Sequence, residues 1–257
     1  MIISGKSFHI RVSLKRVLRA FLNKLLASVF RLVDVFRFLP ARLLRIAEHL
    51  SRGIRILNVD KFRPGNTGKA LVGIGTWWLN FTLLVLDSLG FSELYETIFD
   101  FFKFNSRSLQ PWEKELAREV FGNKINYARV RLDEYALIGP RQFRFCYVSF
   151  FHINSWGAMQ NSLLLHELTH VWQYQRHGIL YIPKALLAQR SKVGYDYGGV
   201  EALKEAMRNK KRLQAFNLEQ QAEIVADYYR VKNGYLPSWG EAGFTDLPVY
   251  EHFVRQI

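Results

Sequence analysis

From Leu14 the apolar residues recur at helical spacing, through Val17, Leu18, Phe21, Leu22, Leu25, Leu26, Val29 and Val33 to Phe36. Lys15, Arg16, Arg19, Lys24 and Arg31 fall mostly off that stripe, so the pattern predicts an amphipathic helix. Pro40 interrupts it, and "ARLLRIAEHLSRGIRIL" resumes as a second helix as far as Gly53. Two surroundings satisfy such a stripe. It lies on an anionic membrane or acidic partner, or it packs on the rest of the protein with its basic face in water. The second is the preferred reading.

Pro64, Gly65, Asn66 and Gly68 mark residues 59–69 as a linker. Residues 70–91, "ALVGIGTWWLNFTLLVLDSLGF", approach the length of a bilayer span, and Trp77 and Trp78 suit an interface. Asp87 would be costly in hydrocarbon, so a buried or partner-covered helix is preferred to a span. "SELYETIFDFFKF" reads as another amphipathic helix with Ser92 as its N-cap.

Beyond Phe104 the pattern changes. "SRSLQPWEKELAREVFG" opens with turn residues and continues as a helix in which Leu116, Val120 and Phe121 share a face, ending at Gly122. "INYARVRLDEYAL" alternates as a strand, and "FRFCYVSFFHIN" reads as a second, with Gly139 and Pro140 in the turn between them. "LLLHELTHVWQYQ" returns to helical spacing, as does "FNLEQQAEIVADYYR" over residues 216–230.

The chemistry lies on these last two helices. His166 and His170 stand one turn apart and project to the same side, so their imidazoles can meet one Zn2+ ion. Glu167 points about 100° away from His166, too far round to ligate yet placed to act as general base on a water held by zinc. Leu163, Leu164, Leu168, Val171 and Trp172 anchor the helix in a core. A catalytic zinc needs a third protein ligand, and Glu219, Glu223 and Asp227 line one face of the later helix at intervals of four. Ligand and second-sphere partner could be Glu219 with Glu223 or Glu223 with Asp227. Glu219 is preferred because Asn217 is a good N-cap, which puts Glu219 in the first turn. Tyr195, Tyr197 and His177 are candidates for stabilising an oxyanion.

HELTH followed by a glutamate on a later helix resembles the gluzincin branch of zincin metallopeptidases. The stretch from "LAREVFG" and "INYARVRL" through "LLLHELTHVWQ" to "NLEQQAEIVADYY" resembles small bacterial zincin-like proteins labelled Vgr-related or Rhs-associated. These occur alongside contractile injection and polymorphic-toxin systems. The likeness covers about residues 108–232 and nothing in 1–105. It implies that His166 and His170 bind zinc, that Glu167 is the base and that Glu219 is the third ligand. It also implies a minimal fold of a helix, a small sheet and two ligand helices.

Charge and composition refine the picture. Of the net charge of +14, residues 1–57 carry +10, from twelve Lys and Arg against Asp34 and Glu48. Long-range attraction to an anionic membrane or a secretion-system protein therefore belongs to residues 1–58, while no known reader motif points to nucleic acid. The single cysteine, Cys146, excludes an internal disulfide and a cysteine-ligated metal. No cleavable signal segment is evident, which predicts a cytoplasmic protein, or one exported by a non-classical route, with peripheral membrane association.

The expected class is α+β. A basic amphipathic arm (1–58) and a linker with an apolar helical segment (59–104) precede a zincin-like metallopeptidase domain (105–257). The expected activity is zinc-dependent hydrolysis of a polypeptide, with "CYVSFF" pairing along an extended substrate. The alternative is a non-catalytic, zinc-stapled accessory module docked to a membrane or secretion apparatus.

Overall fold

The computed structural model describes residues 14–56, 67–103, 105–137, 139–143 and 145–257. Residues 1–13 and most of the expected linker lie outside them.

Helix α1 (Leu14–Ile56) runs unbroken where two helices are expected. Pro40 sits on its exposed side, where its ring displaces no interior packing. Arg31 and Arg42 tie both halves to the same neighbours. Helices α2 (Thr67–Ser88) and α3 (Phe91–Phe102) meet at a tight turn around Gly90, whose φ of 80° is open to glycine. A Cβ there would also meet Val35 at 2.7 Å. Gly90 takes the N-cap position of α3, so Ser92 instead donates to Asp87 Oδ1 at 3.0 Å.

The polarity of α1–α3 reverses expectation. The acids of α2 and α3 and several arginines of α1 face inward, while Arg37, Glu48 and Arg52 of α1 stay exposed. Arg42 pairs with Glu93 at 2.6 Å and Asp87 at 3.6 Å, and Arg31 with Asp100 at 3.1 Å. Arg129, from the rest of the chain, pairs with Asp34 at 3.2 Å and Glu96 at 3.0 Å. The expected apolar stripe faces out, with Phe30 61% and Phe36 69% exposed. A periodic pattern fixes the existence of two faces and leaves open which one turns inward. Helix α2 is likewise not buried: it is long and apolar enough to cross a membrane, and 11% of that window is buried.

The apolar core lies in the remainder, from Leu109 to Ile257. Strand β1 (Ser106–Ser108), where turn residues were expected, pairs antiparallel with β2 (Arg131–Asp133). Helix α4 (Pro111–Phe121) stands between them, ending at Gly122 as expected. After the short α5 (Pro140–Phe143), strands β3 (Tyr147–Ser149) and β4 (His152–Asn154) form a hairpin. Strand β4 lies parallel to β2, which gives the order β1-β2-β4-β3 with β3 at an edge. The run expected as one strand thus folds back at Phe150 and Phe151. Phe150 has φ 60°, and burial of both rings against Tyr174 offsets that strain.

Helix α6 (Asn161–His177) runs through the core, buried on all sides from Leu164 to Tyr174. Helices α7 (Tyr181–Gln189) and α9 (Leu218–Lys232) pack on it, α9 along its length, and α10 (Leu247–Val254) packs on α9 and on α8 (Gly199–Arg208) beyond. Asn217 caps α9 reciprocally with Gln220, each side chain meeting the other's backbone N–H at 2.9 Å. At the other end of α6, Gly178 (φ 62°) lets Arg45 approach: its Nη2 donates to Gln175 O at 3.4 Å. A Cβ on Gly178 would stand 2.5 Å from Arg45 Nη1.

Candidate metal centre

The packing of α9 on α6 brings His166, His170 and Glu219 together, with one potential ligand atom of each within 4.8 Å of the others. Both Nε2 atoms face the same carboxylate oxygen, Glu219 Oε2, at 3.5 Å from His166 and 3.1 Å from His170. The opposite ring nitrogens have their own acceptors. His166 Nδ1 lies 3.0 Å from Glu223 Oε2, and His170 Nδ1 lies 2.8 Å from Gln173 Oε1. Gln173 is oriented in turn, its Nε2 donating to Leu218 O at 2.9 Å and to Gln221 Oε1 at 3.2 Å.

Glutamate and glutamine oxygens accept, so each Nδ1 donates outward, while both Nε2 atoms converge on Glu219 Oε2. A proton is held at that convergence: burial disfavours the charge of His166, but Glu219 and Glu223 outweigh burial and push it up to about 10. A metal cation bound there would take the place of that proton and draw on the Nε2 lone pairs. Burial also works against the charge of Glu219, and the two histidines more than reverse that. Glu219 Oε1 is buried without a hydrogen-bond partner. Imidazole and carboxylate donors with second-sphere acceptors behind them suit a zinc ion.

Glu167 faces the same space. It is buried, its Oε2 has no partner, and burial raises its pKa ahead of any neighbouring charge. It lines a cavity of about 780 Å³ together with His166, His170 and Glu219. Most of the wall is apolar, and edge strand β3 forms part of it.

The other expected residues divide. Glu219 faces the inward Nε2 atoms of both histidines, whereas Glu223 faces the far side of the His166 ring. Burial pushes Glu223 up, but His166 and Arg230 bring it down to about 2. Asp227 stands one step further back than expected, touching neither histidine. It binds Arg230 at 2.6 Å, and Arg230 holds Glu223 at 2.7 Å. Tyr195 lines the cavity, its ring 5.9 Å from that of His166. Tyr197 does not: its hydroxyl is turned behind the site to Asp227 at 2.6 Å. His177 follows His170 by two turns and is also outside the cavity lining. Sequence reasoning missed Gln173 and Tyr181. Gln173 stands three residues after His170 and was legible as a partner on the same face; Tyr181, its ring tilted against that of His170 at 5.6 Å, follows a turn and leaves no periodic signal.

Over 150 residues, 53% of its length, the chain is 31% identical to the type VI secretion system spike protein VgrG2b of Pseudomonas aeruginosa. The chain spans 14% of that protein's length. It is thus related in part to a bacterial secretion-system protein. No protein-family profile matches the chain, and no solved structure does.

Proposed function

We propose that this chain is a zinc-dependent peptidase associated with a bacterial secretion system. The observation that carries this reading is the unpartnered Glu167 carboxylate beside the His166, His170 and Glu219 cluster, in a cavity wide enough for a polypeptide segment. The three clustered residues would hold the ion, which when bound supplies Lewis acidity that acidifies water and polarises a carbonyl. Glu167 takes the proton from the attacking water and delivers it to the leaving amine. Its raised pKa brings it nearer the working pH, which favours both transfers. Glu223 and Gln173 hold the two imidazoles in the tautomer that turns Nε2 inward. The Tyr195 phenol, kept protonated by burial and then by the neighbouring glutamates, can donate to the developing oxyanion. The edge strand β3 can hydrogen-bond an extended substrate backbone, while the apolar wall receives large apolar side chains.

A spike-protein relative favours a second reading, a zinc-stapled accessory module without catalysis. Metal analysis and casein cleavage separate the two. Wild type and Glu167→Gln should each carry about one zinc. Hydrolysis should fall about 10²- to 10⁴-fold in the variant. A zinc-loaded wild type that cleaves no offered polypeptide would leave the accessory module standing.

A further inference from the structure

We propose that the outer face of α1, α2 and α3 seats in the hydrocarbon of a lipid bilayer, independently of any hydrolytic activity. The three helices are inside out by the standards of a water-facing protein. In the first half of α1, from Leu18 to Phe36, Asn23 is the one exposed polar residue among the described side chains. Arg37, Glu48 and Arg52 are exposed beyond it, so the apolar face comprises that first half together with α2 and α3. No described side chain exposed on α2 or α3 is charged; Glu93, Glu96 and Asp100 of α3 are all buried. In water, burying these acids with Arg31 and Arg42 while exposing Phe30, Val72 and Phe102 inverts the favourable arrangement. In hydrocarbon it is the arrangement required, because an outward charge there is costly.

The hydroxyl groups obey the same rule. Ser28 donates to Lys24 O, Thr76 to Val72 O, Thr82 to Trp78 O and Thr97 to Glu93 O, at 2.7–3.0 Å. Thr76 and Thr82 are exposed, yet both bond back into their own helix instead of outward. A helix surface whose polar atoms are satisfied internally needs no donor or acceptor from its surroundings.

Shape selects lipid over a folded partner. From Leu18 to Phe36 the exposed Leu, Val and Phe of α1 cover about half its circumference at 100° per residue, and the apolar surface continues over α2 and α3. Fluid hydrocarbon wraps such a surface from every side, whereas a protein partner meets it from one. The apolar window Ala70–Ser88 of α2 measures about 28 Å, close to the ~30 Å of a bilayer's hydrocarbon. This differs from attraction of basic residues to lipid headgroups, since Arg31, Arg42 and Arg45 are engaged inside the protein. Leu83, Phe91 and Tyr95 belong both to these helices and to the cavity wall, so seating α2 and α3 would bring the cavity close to the membrane.

The test uses the full chain, purified in mild detergent and diluted into vesicles of phosphatidylcholine alone. It should float with them equally in low and high salt. Lipids brominated along the acyl chain should quench tryptophan emission, and Trp78→Phe should lose part of that quenching. Val29→Glu with Val72→Glu, both exposed positions, should reduce co-flotation at least tenfold in a variant whose circular dichroism is unchanged. Three results would overturn the proposal: binding that needs anionic lipid and vanishes in salt; a lipid-free oligomer that never floats; or wild-type flotation without acyl-chain quenching. Quenching on wild type decides the matter even where the double variant misfolds.

Discussion

The chain buries charge in two places, and the two are balanced differently. Among α1–α3 each buried acid has an arginine within ion-pair distance, from 2.6 Å for Arg42 and Glu93 to 3.5 Å for Arg45 and Asp87. At the junction of α6 and α9, Glu167, Glu219 and Glu223 lie beside His166 and His170. Arg230 reaches Glu223 alone of the three. The first arrangement is complete in having an arginine for every acid; the second has no arginine or lysine within ion-pair distance of Glu167 or Glu219 among the described residues. Burial by itself therefore does not separate a structural ion pair from a site. The presence of an arginine beside every acid in the first place, and its absence beside Glu167 and Glu219 in the second, does.

Breaking the complete arrangement should cost the most stability. Arg42→Ala strands Glu93 and leaves Asp87 with Arg45 alone, and should destabilise the chain by about 3–5 kcal/mol in denaturant titration. Replacing Arg42 and Glu93 together by methionine and leucine should recover most of that loss, since matched apolar groups need no partner. A single variant as stable as wild type would show that these pairs are not the interior they form here.

At the deficient site, Glu223→Gln should leave the fold intact and weaken zinc affinity about 10- to 100-fold, read by competition with a chelator. An unchanged affinity would mean that the His166 tautomer is held by something else. Asn217→Ala removes the cap that sets Glu219 in the first turn of α9 and should cost about 0.5–2 kcal/mol, with a smaller loss of zinc affinity than Glu223→Gln.

The smallest effect is expected in pH dependence. His177 is pushed down to about 4, by burial first and then by Lys184, Arg176 and Arg45. A histidine whose folded pKa lies below its unfolded value of about 6.5 binds fewer protons in the folded state. Stability therefore falls as pH drops from about 6.5 toward 4. His177→Gln should flatten that window in thermal melts; an unchanged slope would place the acid sensitivity elsewhere.

How far the sequence could be read follows the same division. The spacing of His166, Glu167 and His170, the Asn217 cap and the helix ending at Gly122 are local features, and local features survive folding. The hairpin at Phe150 and Phe151 was hidden because neither residue is a turn former; distant rings compensate for the strained backbone. Orientation was hidden as well. The heptad-like run from Leu18 to Phe36 names an apolar face, but acids some sixty residues later decide that the opposite face turns inward. Gln173 was visible as a same-face neighbour of His170, whereas the retreat of Tyr197 to Asp227 depends on how α9 settles.

Gly178 links the two halves of the molecule. Having no side chain, it admits the Arg45 guanidinium against the final turn of the coil that carries the histidine pair. A fragment cut to begin at Ser106 would lose that clasp, and the far end of the coil would fray. Any larger residue at 178 should unlatch the leading segment while leaving every presumptive ligand in place.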